Sequence, residues 1–555
     1  MEEGKIISDE FGMSFEVKQE TTELSGIDCV ETNAMAVHKI AKILRSSLGP
    51  HGMDKIIVDC DGQITMTNDG ATIVKEYIAN NRGCVMDLLQ QLTAAQDSEV
   101  GDGTTSIVLF ANALLREAMI LLKKGIHQIK IIEGYNLALR EVIEIVKKNF
   151  SIRLEDEISK KREKCLKAVE TALSSKIAWK YKNIQNVCVD ALYSVMDEER
   201  RDIDLENINV KILKGGNFEG ISLVRGISLE KPVVGEEALI EKLKENKKLK
   251  ICLLACPFEP PKLKTKSKLI VSTAEEYTKL SDYEKETFRL MIRKVKDSGA
   301  DLVLCQWGFD DEATSMLMEE KLPAVRWVGG HELGQIAALT NAQIVSRFEF
   351  LTEKCLGEGF VELNNFGTDS TNFINITKTL EKDTKMEASK VATILVKSSN
   401  MFVGQEIERS ITDALNAARN VLFTDYIVFG GGSLEINLYK KIMGNLSSGK
   451  LKENLENTGF GSCSEEILCF KSFASALLEI PLVLAENAGH DAKYVEEILA
   501  AVKLDKIQHI GVGDGVNVDM QLENVFESFE SKKRQYTMAI DFVCSLLKVQ
   551  EVIYK

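Results

Sequence analysis

Gln96–Ser106 reads QDSEVGDGTTS, and the reading of this stretch decides the fold. Gly101 and Gly103 bracket Asp102, and two threonines follow. From Ile107 to Leu122 only Asn112, Arg116 and Glu117 are polar. A run so apolar on every side predicts a buried core helix rather than an amphipathic surface one. It closes on Lys123, Lys124 and Gly125, cations in the last turn and a glycine at the stop. The start of a buried helix presents unpaired N–H groups and a partial positive charge, which suits a phosphate. Asp102 cannot face a bare phosphate, because like charges repel; a divalent cation between them would make sense of it. The alternative is a GDG turn that caps a core helix, with Thr104 and Thr105 as the capping residues.

The totals set the frame. At 555 residues the chain exceeds what one core holds, so several domains are expected. A hydrophobic share of 45% against 28% charged is ordinary for a folded soluble chain. The formal charge of −15 argues against nucleic acid or an anionic membrane as the main partner. The N-terminus, MEEGKIISDE, is acidic where a signal peptide needs a basic start, and no uninterrupted apolar stretch reaches the ~18 residues of a membrane span. The 12 cysteines are scattered singly, as reduced core residues are. The expected location is the cytoplasm.

Around the opening stretch the first 150 residues read as mostly helical, after a polar, extended arm over residues 1–30. A helix begins near Glu31, with Ala34, Val37, Ile40, Ala41 and Leu44 at helical spacing, and ends at Leu48-Gly49-Pro50. Lys55–Cys60 and Gln63–Thr67 read as a hairpin about Asp61-Gly62. Asn68-Asp69-Gly70 opens the next helix. Residues 155–215 read as charged helix. Between 223 and 371, strand-like runs at Ile251–Ala255, Asp301–Gln306, Ala324–Val328 and Gln343–Phe348 alternate with helices such as Tyr283–Asp297, an α/β pattern. From Gln405 onward the chain is mainly helical again, broken at Gly430–Gly432 and 511–515. A helical first third, an α/β centre and a helical last third suggest one domain inserted into another.

Several motifs fail on inspection. Gly444–Lys450 matches GxxxxGK, but Leu451 stands where a magnesium-binding Ser or Thr is required, and the match follows a helix. GVGDG at 511–515 lacks the spacing of a dinucleotide fingerprint. Cys252 and Cys256 have no second pair at zinc spacing, and the six histidines never cluster in sequence. The acids are stronger together. Asp69 and Asp102 each lie in an xDG turn at a helix mouth. Asp413 lies in QEIERSITDALNAARNVL, on the face opposite the stripe Ile407, Ile411, Leu415, Ala418 and Leu422, with Glu406, Arg409, Asn416 and Asn420. That face is either solvated or aims a carboxylate that orients a water for attack on a γ-phosphate.

LRSSLGPHGMDKIIVD, TNDGATIV, EVGDGTTSIVLFANALL, GIHQIKIIEGYNLAL, ERSITDAL, VFGGG and LAENAG occur in this order. Together they resemble a group II chaperonin subunit of the TCP-1 family along essentially the whole chain. CQWGFDDEA, LPAVRWVGG and PFEPPKLKTKSKL look like the eukaryotic cytosolic branch of that family rather than the archaeal one.

The resemblance implies a multi-domain α and α/β fold in three parts. These are a discontinuous helical equatorial ATPase domain (1–155 and 425–555), an intermediate hinge domain (156–222 and 372–424), and an α/β apical domain (223–371) with a helical protrusion at about 262–290. It implies ATP and Mg2+ as cofactors, with Asp102 as the metal ligand. Gly103, Thr104, Thr105 and Ser106 would hold the phosphates, and Leu48, Gly49 and Pro50 would form the opposite wall. Gly431 and Gly432 would approach the ribose and base, and Ser174, Ser175 and Lys176 would form a nucleotide-sensing loop. Asp69 matches an acid near the γ-phosphate and Asp413 the acid that positions the attacking water. The implied partners are seven paralogous subunits in a double ring and non-native polypeptides such as actin and tubulin, with the protrusion contributing to a lid.

Three departures stand out. Relatives carry an acid directly after a GI or GV pair in the late loop; here Asp514 comes one position later, which puts its nucleotide contact in question. The hinge reads Lys397-Ser398-Ser399-Asn400 where relatives have paired glycines. Asn445–Thr458 looks peculiar to this chain. The readings to be weighed against a hetero-oligomeric ATPase are an archaeal-type subunit that rings with itself, a nucleotide-binding scaffold that barely hydrolyses, and, remotely, a small-molecule kinase.

Overall fold

A computed structural model of the chain describes residues 7–8, 14–15, 24–58, 62, 64–80, 83–154, 158–181, 183–197, 200, 202–214, 220–244, 247–258, 270–271, 273–366, 371–379, 389–398, 400–448, 464–491, 493–503, 509–513 and 518–552. Asp514, Ser399 and the first part of the expected protrusion, 262–269, lie outside the described residues, as does most of the Asn445–Thr458 stretch. The chain divides into two compact units, Met1–Lys160 with Thr424–Lys555, and Lys161–Phe423.

The first unit is built around the helix Thr104–Lys123, which buries fifteen of its twenty side chains. Its apolar surface admits neighbours all round. The helix Gly26–Arg45 packs on it from the N-terminal segment, and Ser464–Leu477 and Phe529–Lys548 pack on it from the C-terminal one. Phe110 sits edge-on to Phe473 at 5.9 Å and to Tyr536 at 5.4 Å, a geometry that sets positive ring edges against negative faces. By length and composition this helix and the run Glu465–Asn487 could each cross a membrane, which the sequence reading does not anticipate. Here 72% and 61% of their apolar windows are buried within the core, and burial on all sides explains that composition. Lys55–Val58 and Ile64–Thr67 form the expected hairpin. Tyr426–Phe429 is flanked by Ile152–Arg153 and Phe526–Ser528, and Glu551–Val552 pairs with Leu24–Ser25, so both chain ends enter this unit.

The second unit holds an eight-stranded mixed sheet. Leu249–Leu254 lies parallel to Leu302–Cys305, which lies parallel to Ala324–Val325, while Gly357–Phe366, Thr371–Thr377 and Gly226–Glu230 extend the sheet antiparallel. The strand ICLL shows why both faces are covered. Cys252 and Leu254 enter one core cluster with Phe258, Phe288 and Ile292, whereas Ile251 and Leu253 enter the other with Leu333 and Ile336. Phe258 gathers Phe288, Phe309 and Phe348 at 5.2–5.7 Å. The helix expected from Tyr283 starts earlier, at Ala274, where Thr273 accepts a hydrogen bond from the Glu276 amide as N-cap.

Residues 155–215 are not all helix. Ile158–Leu173 and Ile184–Val195 are helical, but Ile208–Lys214 is a strand that pairs parallel with Ala392–Ser398. Ile208, Val210 and Ile212 alternate with polar residues, and period-two β-branched spacing favours a strand over the surrounding charge.

Candidate functional site: five turns and a separate acid

The phosphate-cradle reading of GDGTT makes a structural demand that can be checked. Gly103 is the N-cap of the Thr104 helix, at φ 77°, a left-handed conformation that a side chain resists. It supplies no side chain to the first-turn amides. The expected capping role of Thr104 and Thr105 is therefore not seen: Thr104 turns its hydroxyl to Asp69 Oδ1 at 3.0 Å instead. Asp102 accepts from the Gly103 amide through Oδ1 at 2.7 Å, and its carbonyl accepts from Gln96 Nε2 at 2.7 Å. An uncapped helix start with an acid beside it, one of whose carboxylate oxygens is spent on the turn, fits a phosphate and a divalent cation.

The NDG turn is locked to this one. Asp69 Oδ2 accepts from the Thr72 amide at 2.9 Å and the Thr72 hydroxyl at 2.8 Å, which caps the helix Gly70–Asn80. A Cβ on Gly70 would come within 2.7 Å of both the Thr105 amide nitrogen and its Oγ1, so only glycine lets the turns approach. Ser106 continues the same first turn of the Thr104 helix.

Three more turns form a second group in the same unit. Leu48-Gly49-Pro50 follows the Gly26 helix, with Leu484 filling the space beside Gly49. Asn487 Nδ2 donates to the carbonyls of Arg45 at 2.9 Å and Leu48 at 2.8 Å. Gly431 accepts from the Val512 amide at 2.9 Å, which stitches the GGG turn to the late glycine loop, and His490 Nε2 lies 2.8 Å from the Gly513 carbonyl. Met520 Sδ and Pro481 already occupy the places where side chains on Gly431 and Gly432 would go. Positive φ at both positions, 64° and 75°, with these neighbours, favours glycine there. Glu479–Asn487 thus carries Pro481, Leu484 and Asn487 to two turns at once. Neither Asn487, within LAENAG, nor Gln96, at the head of QDSEVGDGTTS, has a task that the motifs alone reveal.

The remaining predicted residues lie in the other unit. Ser174, Ser175 and Lys176 form a tight turn that ends the Ile158 helix, with the Lys176 amide donating to Leu173 at 2.9 Å and Ser174 Oγ donating to Thr171 O at 2.7 Å. Lys176 is ion-paired with Asp413, on the helix Met401–Thr424, and both side chains are largely buried. The Asp413 face is not solvated. Glu406, 2% exposed, pairs with Arg409, and Asn416 and Asn420 are buried. Among the described residues, no group of three or more His, Cys, Asp or Glu side chains forms a metal site.

Comparison with known proteins gives a consistent set of matches. The sequence model of the TCP-1/cpn60 chaperonin family matches residues 40–555. T-complex protein 1 subunit epsilon of Encephalitozoon cuniculi is 42% identical over 99% of this chain and 98% of its own. Thermosome subunit alpha of Aeropyrum pernix is 35% identical, and that of Saccharolobus solfataricus 33%, each over 97% of this chain and 93% of the relative.

Proposed function

The chain belongs to the TCP-1/cpn60 chaperonin family and its function is chaperonin-type protein folding; from that premise we propose that it binds ATP with Mg2+ and hydrolyses it as the epsilon-like subunit of a hetero-oligomeric double ring. One observation carries the reading: the Thr104 helix begins uncapped on Gly103, beside Asp102 and tied to Asp69. Members of the family are ATPases, and the uncapped start supports a phosphate-binding role for this helix.

The amides of Thr104, Thr105 and Ser106 hold phosphate oxygens, Asp102 holds the metal, and Leu48, Gly49 and Pro50 with Gly431 and Gly432 frame the nucleoside. When bound, Mg2+ supplies charge neutralisation between the phosphates and the Asp102 carboxylate. Asp69 lies beside the γ-phosphate. Lys176, with Ser174 and Ser175, senses that phosphate, and Asp413 takes the proton of the attacking water as general base.

On this reading the equatorial domain is 1–155 with 425–555, the intermediate domain 156–222 with 372–424, and the apical domain 223–371. The two-segment composition of the first unit supports that division. Tyr277, Tyr283 and Leu290 are exposed on the Ala274 helix, which supports a protrusion that meets other chains as part of a lid. Its partners are seven paralogous subunits in a double ring, its substrates are non-native polypeptides such as actin and tubulin, and it works in the cytoplasm.

The test is Mg-ATP binding and single-turnover hydrolysis by the full-length chain in its ring, with Asp102→Asn as the partner measurement. Magnesium-dependent binding that Asp102→Asn removes is the expected result. A wild-type chain that binds no Mg-ATP would overturn the reading.

A further inference from the structure

The five turns fall into two groups, NDG with GDGTT and LGP with GGG and the late loop, and one helix reaches both groups. From Phe529–Lys548, Gln535 packs against Gly103, its Oε1 3.9 Å from where a Cβ would lie. One turn earlier on that helix, Lys532 Nζ donates to Glu435 Oε1 and to Glu527 Oε2, each at 2.9 Å. Glu435 lies in the first turn of the helix that GGG opens, and Glu527 Oε1 fills the place of the missing Gly430 side chain, 2.7 Å from that Cβ position. Tyr536 Oη donates to the same Glu435 oxygen at 3.0 Å.

Burial makes this cluster costly. Glu435 is 0% and Lys532 5% exposed, and Glu435 Oε2 and Gln535 Nε2 have no hydrogen-bond partner among the described residues. Buried ion pairs of this kind are weak stabilisers compared with an apolar core of the same volume, so stability alone explains the cluster poorly. Burial by itself would lower the Lys532 pKa, but Glu435 and Glu527 override it and push it up, so the ammonium stays charged. Burial pushes Glu527 up against the pull of Lys532, and among the charges it feels is Asp102.

We infer that Lys532 is a positioning residue for the nucleotide site, a buried cation that holds the GGG turn, through Glu435 and Glu527, at a fixed spacing from the GDG turn that Gln535 supports. The inference rests on the reading of this unit as the Mg-ATP site. Its effect falls on nucleotide affinity, because the spacing between the phosphate-side and nucleoside-side turns decides whether one ligand meets both.

The test uses the full-length chain in its ring and reads three quantities: the Kd for Mg-ATP, the melting temperature, and amide hydrogen exchange over 101–105 and 430–435. Lys532→Met with Glu435→Gln removes the cation and the more deeply buried of its two carboxylates. We expect the Kd to rise by about tenfold or more and exchange to quicken in both turns, with melting held within about 3 °C. Lys532→Arg keeps the charge and should stay within about threefold of wild type. A double variant that binds Mg-ATP within about twofold of wild type would overturn the inference, as would loss of affinity with unchanged exchange in the two turns. If the double variant does not fold, Glu435→Gln alone carries the test: weakening of about threefold supports the inference and unchanged affinity overturns it. A wild-type chain that does not bind Mg-ATP overturns the functional reading first and this inference with it. Wild-type binding with unaltered variants overturns the inference alone.

Discussion

Asp69 and Asp413 are both acids assigned to the same reaction, yet the chain holds them in opposite ways. Asp69 accepts from the Thr72 amide and hydroxyl, three residues on, and from the Thr104 hydroxyl, 35 residues on. Asp413 is held by one opposite charge, Lys176, 237 residues away in sequence. Hydrogen bonds within a turn move only if the turn moves. An ion pair can be exchanged when a stronger anion competes for the cation. The first acid sits in a hydrogen-bonded frame that joins two turns, and the second in a single ion pair.

The sharpest way to break this comparison is Asp413→Asn. Single-turnover hydrolysis should fall by about 10²–10⁴-fold while the Kd for Mg-ATP stays within about threefold; an unchanged rate would remove Asp413 from the chemistry. Next comes Gly70→Ala, which forces a methyl against Thr105. Overpacking of this kind should cost about 1–3 kcal/mol in chemical denaturation and weaken Mg-ATP binding as well. Unaltered stability would show that the two xDG turns are not a rigid unit. Asn487→Ala takes the donor from two carbonyls at the LGP turn and should cost about 1–2 kcal/mol, measured the same way. The smallest effect is expected of Thr104→Val, which deletes the tie to Asp69: about 0.5–1.5 kcal/mol, with the Thr72 cap still in place. A larger loss there would mean that the tie, not the cap, holds Asp69.

Legibility in the sequence follows the range of the interaction. The buried Thr104 helix and the hairpin at 55–67 were readable because apolar runs and glycine turns act over a few residues. So was the α/β centre, three of whose four expected strands are shorter than read while the first, Leu249–Leu254, starts two residues earlier. Thr104 was misplaced as a cap because local propensity favours threonine at helix starts, whereas its partner Asp69 lies 35 residues back. The face of the Met401 helix that carries Asp413 was open to a solvated reading because periodicity identifies one apolar stripe and is silent on a second contact. On that face Asp413 pairs with Lys176 and Glu406 with Arg409. The Lys176–Asp413 pair could not be read at all. TALSSK and ERSITDAL each named a residue by family resemblance, and nothing in either motif says that the two side chains meet. Nor does any local signal mark Lys532, since a lysine in SKKRQ looks like a surface charge until Glu435 and Glu527 fold over it.

The composition of the first unit has a consequence for synthesis on the ribosome. Its N-terminal segment, with the all-round apolar Thr104 helix, emerges before the second unit, and its C-terminal segment emerges last. About 340 residues separate Lys123 from Ser464 and about 405 separate it from Phe529, so at translation rates of 5–20 residues per second the helix waits roughly 17–80 s for the Ser464 and Phe529 helices that cover it. Phe110, whose ring partners are Phe473 and Tyr536, is without them for the whole of that interval. A member of a folding-machine family is therefore, while nascent, itself an unclosed core whose missing wall has yet to be translated.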